Sequence, residues 1–136
     1  MGALSYPRKI VLGEITVRDG LQHEQRTIPT RAKLWLLEQL ALAGFRRLEV
    51  TNLGNPKGMP QFADADTLLQ ALYGSKLLKD KIKEIEFTAV TIREKAAERA
   101  FDLRQKGWGP DRILFMVSTS EAHHFRNSGL SLAEYW

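Results

Sequence analysis

The sequence predicts an α/β fold in which parallel strands alternate with helices. Four short apolar segments rich in β-branched residues recur along the 136 residues, with amphipathic helical patterns between them. Glycines follow the predicted helices, and the third and fourth apolar segments carry little charge, as strands buried on both faces do. Strands connected through helices pair in parallel by right-handed crossovers, which defines the class.

The composition fits one folded domain. The chain is 43% hydrophobic, carries a formal net charge of +4 and contains no cysteine, which argues against disorder and excludes a disulfide scaffold. No apolar run approaches the roughly 18 residues of a membrane span, so no membrane association is expected. The N-terminus shows no signal segment, which makes the cytoplasm the default location. The lysines at 76–83 have no interleaved aromatic residue, so we expect a solvated connector and no nucleic-acid partner.

The first strand is predicted over residues 10–17, and a helix follows after a polar segment. Thr30 is the expected N-cap of this helix. Gly44 ends it as a left-handed residue. The apolar face of the helix is formed by residues at helical spacing: Leu34, Leu37, Leu40 and Ala41.

The second strand is predicted over residues 47–53, before a loop rich in glycine, proline and asparagine. The second helix covers residues 64–73, with Asp64 or Asp66 at its start and Gly74 at its end.

The third strand is predicted over residues 85–92 and the third helix over residues 94–106, ended by Gly107. The expected stripe of this helix comprises Ala97, Ala100, Phe101 and Arg104. The fourth strand covers residues 112–118, and Ser131 with Glu134 forms a capping box that predicts the start of a fourth helix.

Helices wound with one hand would cover one face of this sheet and leave the other open. We therefore expect either that the polypeptide continues beyond Trp136 or that a second copy covers the face in a homo-oligomer. A doubly wound sheet, with helices on both faces, is the alternative.

Functional residues of parallel α/β folds gather at the carboxyl ends of the strands. The first strand delivers Arg18 and Asp19 there, and the second delivers Glu49 and Thr51, with Asn52 beyond them. The third and fourth strands bring further polar residues to the same end: Thr88, Thr91, Ser118, Thr119, Ser120, Glu121, His123 and His124. Two carboxylates beside an arginine suit a hard divalent cation and a substrate anion. The simpler interpretation of Arg18 and Asp19 is an ion pair at a strand end. The adjacent histidines at 123–124 point apart in an extended chain, so we expect them in a loop or at a helix start rather than as a chelating pair.

Several motifs of the chain resemble a known family. VRDGLQHE at residues 17–24, LEVT at 48–51, the pairs PK, PQ and AD at 56–64, and SE and RN at 120–127 resemble the N-terminal part of hydroxymethylglutaryl-CoA lyases. The resemblance implies the N-terminal half of a TIM (β/α)8 barrel, with four parallel strands and an incomplete barrel. Residues 1–136 would then be one partial barrel domain of the pyruvate carboxyltransferase type, truncated at the start of the fourth helix.

The resemblance also implies roles for individual residues. Asp19 would be a ligand of a divalent metal, Mg²⁺ or Mn²⁺. Arg18 would bind the substrate carbonyl oxygen and stabilise an enolate, and Glu49 would handle protons near the metal. Gln22 and Thr51 would contribute to substrate binding.

The implied activity is cleavage of a 3-hydroxy-3-methylglutaryl-CoA-like thioester to acetyl-CoA and a ketoacid. An aldolase or Claisen synthase of the same group, acting on a 2-oxo acid, is the second hypothesis, and a non-catalytic association module is the third. The family's His-x-His pair, its asparagine ligand and its catalytic cysteine lie in later strands. We therefore expect this chain to be inactive by itself.

Overall fold

The computed structural model describes residues 5–135 and has four parallel strands in one sheet. The strands lie side by side in chain order: β1 (Gly13–Glu14), β2 (Arg47–Asn52), β3 (Glu86–Thr91) and β4 (Arg112–Phe115). The helices are α1 (Thr30–Leu42), α2 (Ala65–Tyr73), α3 (Glu94–Gln105), α4 (Glu121–Ser128) and α5 (Leu132–Tyr135). No helix in the described range is long and apolar enough to cross a membrane.

The strand order confirms the predicted α/β class and favours barrel winding. Successive strands are neighbours, and right-handed crossovers in this order place the connecting helices on one face of the sheet. A doubly wound sheet would require the strand order to reverse, so that alternative is wrong. Among the described residues, β1 pairs with β2 alone and β4 with β3 alone, which leaves the sheet open at both edges.

The hydrophobic core includes helix residues and one face of the sheet. Leu48 on β2 and Phe87 on β3 occupy the same register position and are fully buried. Leu37 of α1, Leu72 of α2 and Leu103 of α3 belong to the same cluster. Each such leucine contributes about 2 kcal/mol by leaving water, so this layer fixes the strands whose ends carry the polar residues.

The first strand is much shorter than predicted. Only Gly13 and Glu14 pair with β2, and Thr16–Gly20 forms a single π-helical turn instead of continuing the strand. The Glu14 carboxylate accepts hydrogen bonds from the Ile15 and Thr16 amides, both at 2.7 Å, and from the Thr16 hydroxyl at 2.6 Å. These bonds favour a turn over further pairing, and they leave Val17 buried in the core.

The fourth strand ends at Phe115 instead of residue 118, and all four of its residues are exposed. The prediction of burial on both faces is therefore wrong for β4, because it is an edge strand of the open sheet. The same prediction is right for β3, in which five of six residues are buried.

Two helix predictions need correction. Pro29 occupies the N-cap position of α1, and Thr30 is its first helical residue, with its hydroxyl donating to Asp64 at 2.6 Å. The buried face of α3 comprises Ala96, Ala100 and Leu103, whereas Phe101 of the predicted stripe is 63% exposed.

The ends predicted for α1 and α3 are confirmed. Gly44 has φ of 106° and Gly107 has φ of 88°, so a residue with a Cβ would be strained at either position.

The helix α4 was missed by the sequence analysis, although its signals were present. Ser120 is its N-cap and accepts a hydrogen bond from the His123 amide at 3.4 Å, and Gly129 follows it with φ of 70°. The capping box of Ser131 and Glu134 is confirmed, since each residue's side chain accepts the other's amide. The helix that it starts is the fifth and not the fourth.

Candidate active site

A cavity of about 240 Å³ lies beside the π-helical turn, next to the ends of β2, β3 and β4. Its polar lining comes from three places in the chain: Arg18 and Asp19 of the turn with Gln22 just after it, Asn52 of β2, and Ser118, His123, His124, Asn127 and Ser128 at or near α4.

The guanidinium of Arg18 is the centre of a polar cluster. Arg18 is 8% exposed and its Nε donates to Glu49 of β2, which is itself 7% exposed. Its Nη1 donates to Asp19 Oδ1 at 3.0 Å and to Gln22 Oε1 at 3.1 Å. The structure therefore brings together four of the five residues predicted for the site.

The turn gives its two charged residues different environments. The side chain of Arg18 is 10% exposed, and that of Asp19 is 51% exposed. The ion pair with Glu49 compensates for burying the Arg18 cation, because an isolated charge would be costly in the interior. Arg18 and Asp19 form the ion pair of the simpler interpretation, but they do so in the π-helical turn rather than at the end of β1, and the cluster extends to β2.

Two charged atoms of the cluster have unused bonding capacity. Within residues 5–135, Arg18 Nη2 and Asp19 Oδ2 make no hydrogen bond to the protein. Both residues line the cavity, so a guanidinium donor and a carboxylate acceptor are available to one ligand. This pair can bind a carbonyl or carboxylate oxygen on one side and a cation on the other.

A register shift between Glu49 and Thr51 changes which side chain of β2 reaches the cavity. Strict alternation would place Thr51 on the Glu49 face. In the structure Thr51 pairs with Ala89 and Asn52 pairs with Val90, and Asn52 lines the cavity while Thr51 does not. Thr51 is fully buried, and its Oγ1 has no hydrogen-bond partner within the described chain. The role of Thr51 in substrate binding stays a prediction. Asn52, which the sequence placed just beyond Thr51 at this end of β2, is the residue that lines the cavity.

The two histidines lie in the first turn of α4, as expected for a helix start, and both line the cavity. His123 is held between the Ser118 hydroxyl at 2.9 Å and the Asn127 amide nitrogen at 3.1 Å. His124 is 2% exposed and packs edge-on against Tyr135, with ring centroids 4.4 Å apart. The sequence placed both histidines at the carboxyl end of the fourth strand, but it did not predict the helix α4 that positions them at the cavity.

The described residues offer one carboxylate for a metal, rather than a complete site. No group of three or more His, Cys, Asp or Glu side chains within residues 5–135 could hold an ion. The half-exposed Asp19, with one oxygen free, suits one ligand position of a hard cation. The remaining ligands would have to come from outside the described residues.

A larger cavity of about 610 Å³ adjoins the first and shares Asn52, Met59, Ile92, Asn127 and Ser128 with it. It extends toward the first turn of α3, where Arg93 and Lys95 line it. No acidic residue is part of its lining. The two cavities together have room for an elongated anion.

The chain is similar to hydroxymethylglutaryl-CoA lyases in sequence. It is 28% identical over 131 residues to the enzyme of Bacillus subtilis and 33% identical over 134 residues to the mitochondrial enzyme of Rattus norvegicus. These matches cover 96% and 98% of this chain but only 40% and 37% of the two relatives. The chain thus spans about two fifths of the length of these relatives. No family model matches it.

The fold of the chain is also similar to that of solved hydroxymethylglutaryl-CoA lyases. The lyase of Bacillus subtilis superposes with a TM-score of 0.81 at 26% identity, over 97% of this chain and 40% of that structure. The lyase of Acinetobacter baumannii, solved with coenzyme A and 3-methylmalate, gives a TM-score of 0.78 at 27% identity, over 92% of this chain and 37% of that structure. In sequence and in fold, this chain corresponds to the N-terminal part of the hydroxymethylglutaryl-CoA lyase TIM barrel.

Proposed function

We propose that this chain supplies the N-terminal part of a carbon–carbon lyase site that cleaves a 3-hydroxy-3-methylglutaryl-CoA-like thioester to acetyl-CoA and a ketoacid. The observation that carries the proposal is the buried guanidinium of Arg18, which is fixed by Glu49 and keeps one amino group free at the cavity. The relatives named above support the substrate class.

The reaction explains why such a group is needed. A base takes the proton of the 3-hydroxyl, the bond between C2 and C3 breaks, and C3 becomes the ketone of the ketoacid. The electron pair of the broken bond passes to the thioester as an enolate, which is then protonated at carbon to give acetyl-CoA. Negative charge develops on the thioester oxygen, and the free amino group of Arg18 donates to it there. Removal of one such donor typically costs about 3 kcal/mol of barrier.

The neighbouring residues orient this donor. Glu49 accepts from Nε, and Asp19 and Gln22 accept from Nη1, so the guanidinium is held along two of its edges before substrate arrives. Such preorganisation avoids the cost of reorienting a charged group during the reaction. Glu49, as the buried carboxylate of the cluster, is our candidate for handling protons at this site, and Gln22 for contacting substrate.

A divalent metal such as Mg²⁺ or Mn²⁺, held in part by Asp19, would polarise the substrate oxygens. The adjoining cavity, with the three cationic residues Arg93, Lys95 and Arg99 in its lining, supports an acyl-CoA rather than a small 2-oxo acid. For that reason, and because the relatives named above are lyases, we do not favour the synthase, aldolase or association-module alternatives. A cytoplasmic location stays a prediction, since the rat relative is mitochondrial.

Since the described residues provide one metal ligand, we expect the chain to be inactive without the rest of a barrel. The test is a chimera in which residues 10–136 replace the corresponding segment of the Bacillus subtilis lyase. We expect release of acetyl-CoA from hydroxymethylglutaryl-CoA that requires Mg²⁺ or Mn²⁺. Asp19→Asn should abolish this metal-dependent activity, whereas Asp102→Asn, at an exposed position of α3, should leave it unchanged. A folded chimera without lyase activity would contradict the proposal.

A further inference from the structure

Gln61 binds a segment that follows the π-helical turn. Its Nε2 donates to the carbonyl of Glu24 at 2.5 Å and to that of Arg26 at 2.8 Å. Its Oε1 accepts from the Ile28 amide at 3.3 Å. Both N–H groups and the oxygen of the Gln61 amide are thus used on one segment, residues 24–28, and Gln61 is 6% exposed.

The position of Gln61 is itself fixed by a buried lysine. Lys33 of α1 is 1% exposed, and its ammonium donates to the Gln61 carbonyl and to Asp64 Oδ1 at 2.7 Å. The Thr30 hydroxyl donates to the other Asp64 oxygen at 2.6 Å. The first turn of α1 and the start of α2 therefore form one rigid base for the Gln61 side chain. The Lys33 contacts thus involve the second residue of each of the PQ and AD pairs at 60–64, namely Gln61 and Asp64.

Residues 24–28 have little else to hold them. They form neither helix nor strand, and all except Ile28 are exposed. The segment begins two residues after Gln22, whose Oε1 accepts from Arg18 Nη1 at 3.1 Å. The Glu24 amide also donates to the Leu21 carbonyl at 3.3 Å, which closes a turn around Gln22. A displacement of Glu24 would therefore move Gln22 and release one edge of the Arg18 guanidinium.

We propose that Gln61 is a positioning residue that holds the Arg18 guanidinium in place through residues 24–28 and Gln22. It touches none of the reacting atoms. The effect on a reaction rests on the proposed function, but the mechanical link between Gln61 and Arg18 does not.

The test measures hydrogen exchange of backbone amides and of the Arg18 side chain in the 136-residue chain, with NMR as the detection method. Gln61→Leu removes all three bonds, and Gln61→Glu keeps the acceptor for Ile28 but loses both donors. In Gln61→Leu we expect the Ile28 amide to exchange roughly tenfold faster. In both variants we expect the Arg18 Nε–H to exchange roughly tenfold faster, while the exchange of the β3 amides stays unchanged. Gln70→Leu, at an exposed position of α2, is the matched control and should change neither signal.

Two results would overturn the proposal. The first is faster exchange at residues 24–28 with unchanged exchange at Arg18, since Gln61 would then be a local clasp only. The second is uniformly faster exchange in both Gln61 variants, including the β2 and β3 amides, since Gln61 would then support the fold in general. The measurement requires no catalysis, so an inactive chimera would refute the proposed function and leave this link to be judged separately.

Discussion

Arg18 and Glu49 lie 31 positions apart in sequence and form a buried ion pair between the π-helical turn and β2. This contact joins the two motifs, RDGLQ and LEVT, that the sequence analysis singled out. It also has a cost, because two charges leave water and are compensated mainly by each other. The stability of the fold and the geometry of the candidate site are therefore coupled at these two residues.

Removal of the Arg18 charge should destabilise the chain. Arg18→Met leaves Glu49 buried without its cation, and we expect the free energy of unfolding to fall by about 3 kcal/mol. Urea unfolding monitored by circular dichroism measures this. The double variant Arg18→Met with Glu49→Leu should recover part of the loss, and the exposed Arg31→Met should cost little. A loss below about 1 kcal/mol in Arg18→Met would show that Glu49 is not desolvated.

The buried ion pair between Lys33 and Asp64 should contribute more to the free energy of unfolding than the partly exposed pair between Arg99 and Asp66. Asp64→Asn leaves the ammonium of Lys33, 1% exposed, with neutral partners only, and we expect a loss of about 2 to 3 kcal/mol. The matched change Asp66→Asn breaks the partly exposed pair with Arg99 and should cost less than about 1 kcal/mol. Chemical denaturation of the two variants in parallel compares them, and equal losses would contradict the buried role of Lys33.

Acid should weaken the turn that follows β1. The hydrogen bond from the Thr16 hydroxyl, together with the Thr16 and Ile15 amides, holds the pKa of Glu14 below its ordinary value of 4.5. A carboxylate with a lowered pKa in the folded state stabilises the fold above its ordinary pKa, and this contribution is lost as the pH falls through the folded pKa. On acidification from neutral pH to below 4.5, the Tm of Glu14→Gln should therefore fall by less than the Tm of the parent chain. Glu98→Gln, at an exposed position of α3, is the control and should follow the parent.

The open edge of the sheet should cause association. Ile113, Leu114 and Phe115 of β4 are 38 to 48% exposed, beside backbone groups with no partner strand on that side in the described chain. Such an edge pairs readily with other chains. We expect size-exclusion chromatography to show concentration-dependent association of the 136-residue chain. Leu114→Lys should reduce it and Leu77→Lys, on the connector after α2, should not. A monomer at every concentration would refute this expectation.

Local sequence signals predicted most of the fold. The helix ends at Gly44 and Gly107 and the extents of β2 and β3 followed from glycine conformation and β-branched apolar runs. The early end of β1 did not follow, because it depends on the Glu14 side chain capturing the amides that a strand would have paired. The apolar pattern of β4 indicated burial, yet β4 lies at an open edge, and a single segment does not reveal its neighbours.

The candidate site was predicted only in part, because some of its contacts are local in sequence and others depend on distant segments. Arg18, Asp19 and Gln22 are close in sequence, and the rule that parallel strands bring their carboxyl ends to one edge placed Glu49 beside them. The sequence placed Thr51 and Asn52 together at the end of β2. It did not show that Asn52 is the one that lines the cavity, because a register shift interrupts the alternation of β2 and such shifts depend on the partner strand. The role of Gln61 was missed because its partners lie 33 to 37 positions away along the chain.

The proposed function requires that Arg18 stabilises the charge that develops during carbon–carbon cleavage. The most direct measurement is the steady-state kinetics of Arg18→Ala in the chimeric lyase, with Arg31→Ala as a surface control. We expect kcat to fall by a factor of about 10² to 10³, with KM changed by no more than about threefold, because the lost donor acts mainly in the transition state. A rise in KM with an unchanged kcat would contradict the account, since Arg18 would then serve binding alone.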